Sequence, residues 1–252
     1  MKLGGWGRYP LIETQLKSPS SIEELVQEIS KKNSIARGNG RSYGDSAVNK
    51  SNTIIVILAG GQSRRFGGGY KTLNKFNNIS ILDRIIQNFK WLEMEIVLNV
   101  NSNEDQFLKT GLHLIKDEHE NFQGPLAGIY SSMKWVLESR KNIEWIFTSP
   151  SDTPFINNSL VDKFLKTKYI DKTKIILASS SNKTHPVIGM WHISLFKSLE
   201  DFLVKKNRKI MLWVEEQNYE ILNFENKIYF FNINTQADLA EAIKIEKSLN
   251  IQ

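Results

Sequence analysis

The chain contains no cysteine. Disulfides, thiolate catalysis and cysteine metal sites are therefore excluded, and the absence is compatible with the cytosol. No stretch approaches the ~18 consecutive apolar residues of a membrane span, so no membrane partner is expected. The opening Met1-Lys2-Leu3-Gly4-Gly5-Trp6-Gly7-Arg8-Tyr9-Pro10 has no apolar segment of the secretory kind, and a cytoplasmic location is expected. A basic arm is missing too. The formal net charge is +6, but the lysines are scattered. Nucleic acid is therefore not an expected partner, and anionic small substrates, or the lysine-rich codon bias of an A+T-rich genome, account better for the charge. There is no H-E-x-x-H metal motif, no internal repeat and no low-complexity segment. What remains is 252 residues, 40% hydrophobic and 24% charged, an ordinary globular composition for one large or two modest domains.

The most informative stretch follows the apolar run Ile54-Ile55-Val56-Ile57. It reads Leu58-Ala59-Gly60-Gly61-Gln62-Ser63-Arg64-Arg65-Phe66-Gly67-Gly68-Gly69-Tyr70-Lys71. A buried strand ends, a glycine-rich loop opens, and two arginines and a lysine lie within its reach. Glycines let backbone N–H groups approach phosphate oxygens, and the basic side chains neutralise them. The segment proposes a nucleoside triphosphate site; the bland alternative is a flexible glycine loop with surface arginines. Two common patterns fail on spacing. A Walker A loop needs Gly before Lys-Ser/Thr, and here Tyr70 precedes Lys71-Thr72. A dinucleotide fingerprint needs G-x-G-x-x-G, whereas Gly60 and Gly61 are adjacent and the next glycine is Gly67.

Strands and helices alternate from about residue 53. Strands are expected near 53–58, 95–99, 144–148, 174–178, 186–191 and 228–232. Apolar stripes at Leu82, Ile85, Ile86 and Phe89, and at Leu126, Ile129, Tyr130, Met133, Val136 and Leu137, predict helices. Further helices are expected near 159–167, 194–205 and 208–216, with a last one capped by Thr235-Gln236-Ala237-Asp238. The pattern implies an α/β fold: a mostly parallel, Rossmann-like sheet with helices on both faces. Ahead of it, Ser21-Ile22-Glu23-Glu24 opens a short amphipathic helix, and Ser34-Ile35-Ala36 reads as a strand.

In such sheets ligands sit beyond the carboxyl ends of the strands. Leu58, Ala59, Gly60 and Gly61, Asn99, Asp117 and Asp152 all fall there. Asp152 is the leading candidate for Mg²⁺, since one strand-end carboxylate can hold that ion together with waters and phosphate oxygens; a turn-forming Asp before Thr-Pro is the alternative. Lys71 would neutralise a triphosphate, or be a solvated lysine at a helix start. Asp117-Glu118-His119-Glu120 looks like a metal cluster, but consecutive residues cannot all face one ion, so only Asp117 is kept as a ligand-site residue.

The loop LAGGxSxR-(hydrophobic)-GG-xx-K resembles the signature of nucleotidyltransferases of the nucleotide-diphospho-sugar transferase fold. Gly124-Pro125-Leu126-Ala127-Gly128, Asp152-Thr153-Pro154, His185-Pro186, Asn207-Arg208-Lys209-Ile210-Met211 and Asn232-Ile233-Asn234-Thr235 follow in the order of the molybdenum cofactor guanylyltransferases. The resemblance covers about residue 53 to the C-terminus. It implies transfer of GMP from GTP to molybdopterin with release of pyrophosphate and a need for Mg²⁺. It also implies GTP and molybdopterin as partners, with molybdoenzyme apoproteins or their chaperones as further candidates. On this basis Arg65, Lys71 and Asp152 are the catalytic candidates. Leu58, Ala59, Gly60, Gly61, Lys71, Asn99, Asp117 and Asp152 would bind the nucleotide. His185, Arg208, Lys209, Asn232 and Asn234 would face the pterin. Tyr70 departs from the pattern, which usually has an acidic residue before the lysine. A cytidylyl- or sugar-phosphate nucleotidyltransferase and a non-catalytic nucleotide-binding protein stay open as alternatives.

Residues 1–52 carry a different resemblance. Gly5-Trp6-Gly7-Arg8 and Arg37-Gly38-Asn39-Gly40-Arg41-Ser42-Tyr43-Gly44-Asp45 are similar to the start of vanillyl-alcohol-oxidase-type FAD-binding domains. About 50 residues make a marginal core and no complete flavin pocket. The segment is read as a short truncated α+β fragment ahead of a nucleotidyltransferase domain at 53–252, and bound FAD is not expected. The remnant of an FAD-dependent oxidoreductase is the remaining alternative.

Overall fold

The computed structural model describes residues 2–3, 12–13, 52–60, 71–76, 78–101, 104–117, 124–167 and 172–249. The short strands β1 (Lys2–Leu3) and β2 (Ile12–Glu13) pair antiparallel. The expected helix from Ile22 and strand at Ser34 lie outside the described residues, as do 61–70.

β3 (Thr53–Leu58) is buried along its length until Leu58. Ile55 and Ile57 enter one core, and Ile54 and Val56 enter the other. A continuous apolar run is what a parallel strand covered on both faces requires. After the small hairpin β4 (Lys75–Phe76) and β5 (Ile79–Ser80) comes helix α1 (Ile81–Lys90). Ser80 caps it, its Oγ accepting from Asp83 N–H at 2.9 Å. Ile81, Leu82, Ile85, Ile86 and Phe89 are its buried face, the expected stripe. β6 (Ile96–Val100) and β7 (His113–Lys116) follow, then α2 (Pro125–Ser139), entered through Gly124 at φ 91° with Pro125 at the first turn. β8 (Trp145–Pro150), α3 (Asn158–Thr167), β9 (Ile175–Ser180) and β10 (Lys183–His192) come next. Ser181 and Asn182, both at positive φ, form the two-residue turn between β9 and β10. The chain closes with α4 (Phe196–Val204), α5 (Ile210–Val214), β11 (Tyr219–Asn223) and α6 (Gln236–Leu249).

The main sheet has seven strands in the order β11-β9-β10-β8-β3-β6-β7. All neighbours are parallel except β10, which runs antiparallel to both β8 and β9. The cluster on one face takes in Phe89 of α1, Phe164 of α3 and Ala242 of α6; the cluster on the other takes in Met133 of α2, Leu199 of α4 and Trp213 of α5. This is the expected α/β architecture with helices on both faces.

One expected strand is corrected. Residues near 228–232 do not join the sheet: Lys227–Phe230 is a 3₁₀ turn, with Asn226 Oδ1 accepting from Ile228 N–H at 3.0 Å. The aromatic run reads like a strand because Phe230 and Ile233 are anchored in the core. The sheet position is taken instead by β11, which has one neighbour and exposes Tyr219 and Ile221, so its apolar alternation is weak.

Gly189 sits at a close strand contact. A Cβ there would lie 2.5 Å from the Ile176 carbonyl oxygen. Gly189→Ala is therefore expected to cost about 2 kcal/mol or more of folding stability, because backbone must move. An unchanged denaturation midpoint would show that this approach is not tight.

Candidate active site

A cavity of about 520 Å³ opens at the carboxyl ends of the parallel strands. Register decides what reaches it. Leu58 of β3 lies level with Asn99 of β6 on one side and Pro150 of β8 on the other. Backbone bonds lock the exits: Ala59 N–H donates to Asn99 O at 2.9 Å, and Ser151 N–H donates to Leu58 O at 3.1 Å. Gly60 and Gly128 also line the cavity. At Gly128 a Cβ would lie 2.3 Å from Asn99 Oδ1, so only glycine lets the first turn of α2 close on the end of β6.

One flank is built around Asn99, which is 2% exposed. Its Nδ2 donates to the Ile115 carbonyl at 3.2 Å and to Asp117 Oδ1 at 2.8 Å. Asp117 is thereby aimed at the cavity it lines. Burial raises its pKa above the ordinary carboxylate range, opposed by the Asn99 hydrogen bond.

At the centre, Lys71 Nζ donates to Asp152 Oδ2 at 2.6 Å and to Asn234 Oδ1 at 2.5 Å. Three distant segments meet in this clasp. The C-terminal segment is held by Ile233 N–H donating to Asp152 O at 2.9 Å. A reciprocal cap steadies it: Thr235 N–H donates to Asp238 Oδ2, and Asp238 N–H to Thr235 Oγ1. Asp152 Oδ1 is buried with no hydrogen-bond partner. A buried carboxylate oxygen left open beside a lysine fits a hard divalent cation, which takes oxygen ligands and keeps waters. Among the described residues no three His, Asp or Glu side chains group as a metal cluster.

The other flank belongs to β10. His185 stacks on Phe230 with ring centroids 4.1 Å apart and planes 8° from parallel, and its Nε2 lies 2.9 Å from Ser180 Oγ. Burial first, then the Lys183 charge, pushes its pKa down. Asn232 lines the cavity as well.

Of the residues singled out from sequence, Leu58, Gly60, Lys71, Asn99, Asp117, Asp152, His185 and Asn232 line this one cavity, and Asn234 joins through Lys71. Ala59 is buried behind it. Arg208 and Lys209 are exposed ahead of α5 and do not line it. Gly61, Arg64, Arg65 and Tyr70 lie outside the described residues. Sequence reasoning missed Asn101, Ser151, Lys183 and Thr184, all in the lining. Asn101 was findable by alternation from Asn99; Lys183 and Thr184 carry no signal until the hairpin is known.

Residues 55–219 match the MobA-like NTP transferase domain. The chain belongs to that family. Relatives include the molybdenum cofactor guanylyltransferase of Nitrobacter hamburgensis, 35% identical over 193 residues, covering 75% of this chain and 92% of the relative. That of Mesorhizobium japonicum is 33% identical, covering 77% and 96%. Molybdopterin-guanine dinucleotide biosynthesis protein A from Archaeoglobus fulgidus superposes with a TM-score of 0.64 at 21% identity, covering 77% of this chain and 98% of that one. For 4-diphosphocytidyl-2C-methyl-D-erythritol synthase from Anaerococcus prevotii the TM-score is 0.63 at 12% identity, with 81% and 100% covered. At these identities the structures speak for the MobA-like fold alone.

The His185 environment is directly measurable. Its NMR titration midpoint is expected below the ~6.5 of a free imidazole, and Lys183→Gln should move it part of the way back. Below about pH 6.5 the unfolded chain takes up a proton that the folded ring resists, so this group's contribution to stability falls as pH drops through that window. A midpoint at or above the free value would contradict the burial of the ring.

Proposed function

We propose that the protein transfers GMP from GTP to molybdopterin and releases pyrophosphate, using Mg²⁺. The carrying observation is the order of the cavity's parts. The Lys71–Asp152 clasp stands between two flanks, Asn99 and Asp117 beyond β3 on one side, His185 and Asn232 on the other. Two substrates can therefore approach one charged centre from opposite sides. The names of the relatives supply the pterin acceptor and the guanylyl group.

On this reading the nucleotide lies over the β3 exit, with Leu58, Ala59, Gly60 and Gly61 offering backbone groups to it. Asn99 positions Asp117, whose carboxylate accepts from guanine N1–H and the exocyclic amine. Cytosine presents acceptors at the corresponding positions, so Asp117 favours GTP over CTP. Lys71 and Arg65 offset the triphosphate charge. Asp152 Oδ1 would hold Mg²⁺, which when bound neutralises phosphate oxygens and orients them. A phosphate oxygen of molybdopterin attacks the α-phosphorus of GTP. The bond from that phosphorus to the oxygen bridging to the β-phosphate breaks, and pyrophosphate leaves with the electron pair. Such a transfer rests on alignment and charge neutralisation rather than a covalent enzyme intermediate. His185, Asn232 and Asn234 serve the pterin side. Arg208 and Lys209 join them only as outer contacts, given their exposed position.

The domain division is part of the same proposal: 53–252 is the nucleotidyltransferase, and 1–52 is a separate, flavin-domain-like segment without a flavin role. The family match begins at residue 55. Among the described residues no helix is long and apolar enough to cross a membrane.

Pyrophosphate release with Mg²⁺, molybdopterin and each nucleoside triphosphate tests the reaction. GTP should support it, and Asp152→Asn should lower kcat ~10²–10³-fold. Release with CTP alone would overturn the base assignment, and full activity in the variant would remove Asp152 from the chemistry.

The Asp117 role has a pH signature. Its pKa is raised, so the part of GTP affinity owed to the carboxylate is complete above that raised value and is lost as pH falls through it. GTP dissociation constants measured between about pH 4 and 8 should rise toward acid earlier than an ordinary carboxylate near ~4 would dictate. In Asp117→Asn that acid limb should vanish; identical profiles for both proteins would exclude the contact.

A further inference from the structure

β10 does not run evenly beside its neighbours. It pairs with β9 at His185↔Ala178 and resumes at Gly189↔Leu177, so residues 186–188 fall between two adjacent positions of β9. On the β8 side, pairing begins at Gly189↔Thr148. The displaced residues Pro186, Val187 and Ile188, with His185, make one wall of the cavity. A bulge of this kind re-aims side chains, and it also takes backbone carbonyls out of the ladder.

A single buried hydroxyl holds it. Thr148 is fully buried. Its Oγ1 donates to the Val187 carbonyl at 2.8 Å, with the Gly189 carbonyl 3.3 Å away, and accepts from Trp191 Nε1 at 2.8 Å. Trp191 is itself locked by stacking on Trp213, with centroids 5.9 Å apart. The hydroxyl thus has both a donor and acceptors, and its rotor is set by the indole. Valine has the same shape but can do neither. Gly189, unable to carry a Cβ beside the Ile176 carbonyl, fixes where the bulge rejoins the sheet.

We infer that Thr148 is a positioning residue for the second substrate: it holds the 185–188 wall at the height at which the acceptor is bound. It touches no substrate itself. The inference rests on the reading that the acceptor lies on the β10 flank and the nucleotide on the β6 and β7 flank. It separates the two substrates, since Thr148 supports one flank only.

The test uses the whole chain and three variants. Thr148→Val is expected to raise KM for molybdopterin about tenfold while KM for GTP stays within about twofold, the size of losing one buried hydrogen bond. Thr148→Ser, which keeps the hydroxyl, should restore both to within about twofold. Trp191→Phe removes the indole donor together with part of the ring stacked on Trp213; a rise in the same constant with KM for GTP within about twofold is expected, and it serves if Thr148→Val does not fold. Equal changes in both KM values, or no rescue by serine, would overturn the inference. Hydrogen exchange separates it from the functional reading. In Thr148→Val, amides near 185–189 should exchange at least about tenfold faster while β3 and β6 stay protected. Unchanged exchange at 185–189 removes Thr148 as the holder of the bulge. Fast exchange in a chain that never transfers to molybdopterin shows instead that the bulge is held as described and the assigned acceptor is wrong.

Discussion

β3 is the constraint on which the remaining geometry depends. It is buried on both faces and paired in parallel on both edges. A slip of one residue would send Ile55 and Ile57 into the core that holds Ile54 and Val56, turning every side chain to the wrong layer. The register is therefore set by packing, far from any chemistry. The same register brings Leu58, Asn99 and Pro150 to one level, and with them the exits that carry Gly60, Asn101 and Asp152. The cavity is a consequence of how the core is filled.

Onto that frame the chain adds charge in a controlled way. The Lys71–Asp152 pair is partly shielded from water, with side-chain exposures of 14% and 16%. Pairing there offsets the desolvation that either group would suffer alone. Asn234 completes the clasp from 163 residues away in sequence, and it is carried by a segment tied to Asp152 O and to the α6 cap. Arg84 of α1 pairs with Glu246 of α6, which fastens that last helix to the body of the protein. The C-terminal segment thus belongs to the site as fully as the first strand does. The clasp uses one oxygen of Asp152 and leaves the other open, while Asp117 across the cavity is held by Asn99 and raised by burial. Two carboxylates in one cavity are given different environments and can take different partners.

Much of this was legible beforehand where the signal is local. The apolar run before Leu58, the stripe of α1 and the Thr235 cap are periodicities and short-range hydrogen bonds, and they appear as expected. The segment near 228–232 misled because its aromatic residues are buried by packing without ladder pairing. β11 was overlooked because an edge strand hides only part of its side chains. Asn232 and Asn234 lie in a segment outside the sheet, held beside Asp152 by the Ile233 N–H bond to its carbonyl.

Sequence by itself determined the α/β class, the strand-then-loop phosphate motif, and the residue types on which chemistry rests, because each depends on neighbours within a few positions. The family follows from the same residues. Only the tertiary structure decided that Lys71 meets Asp152 and Asn234, that Asn99 steers Asp117, and that Arg208 and Lys209 stand apart from the cavity. It also decided how the bulge of β10 is held: Pro186 and Gly189 inside a strand mark an irregularity, but only the pairing of β8 with β10 brings Thr148 to Val187 and Trp191. Contacts between residues 18 to 163 positions apart are set by register and by the filling of two cores, and no local pattern encodes them.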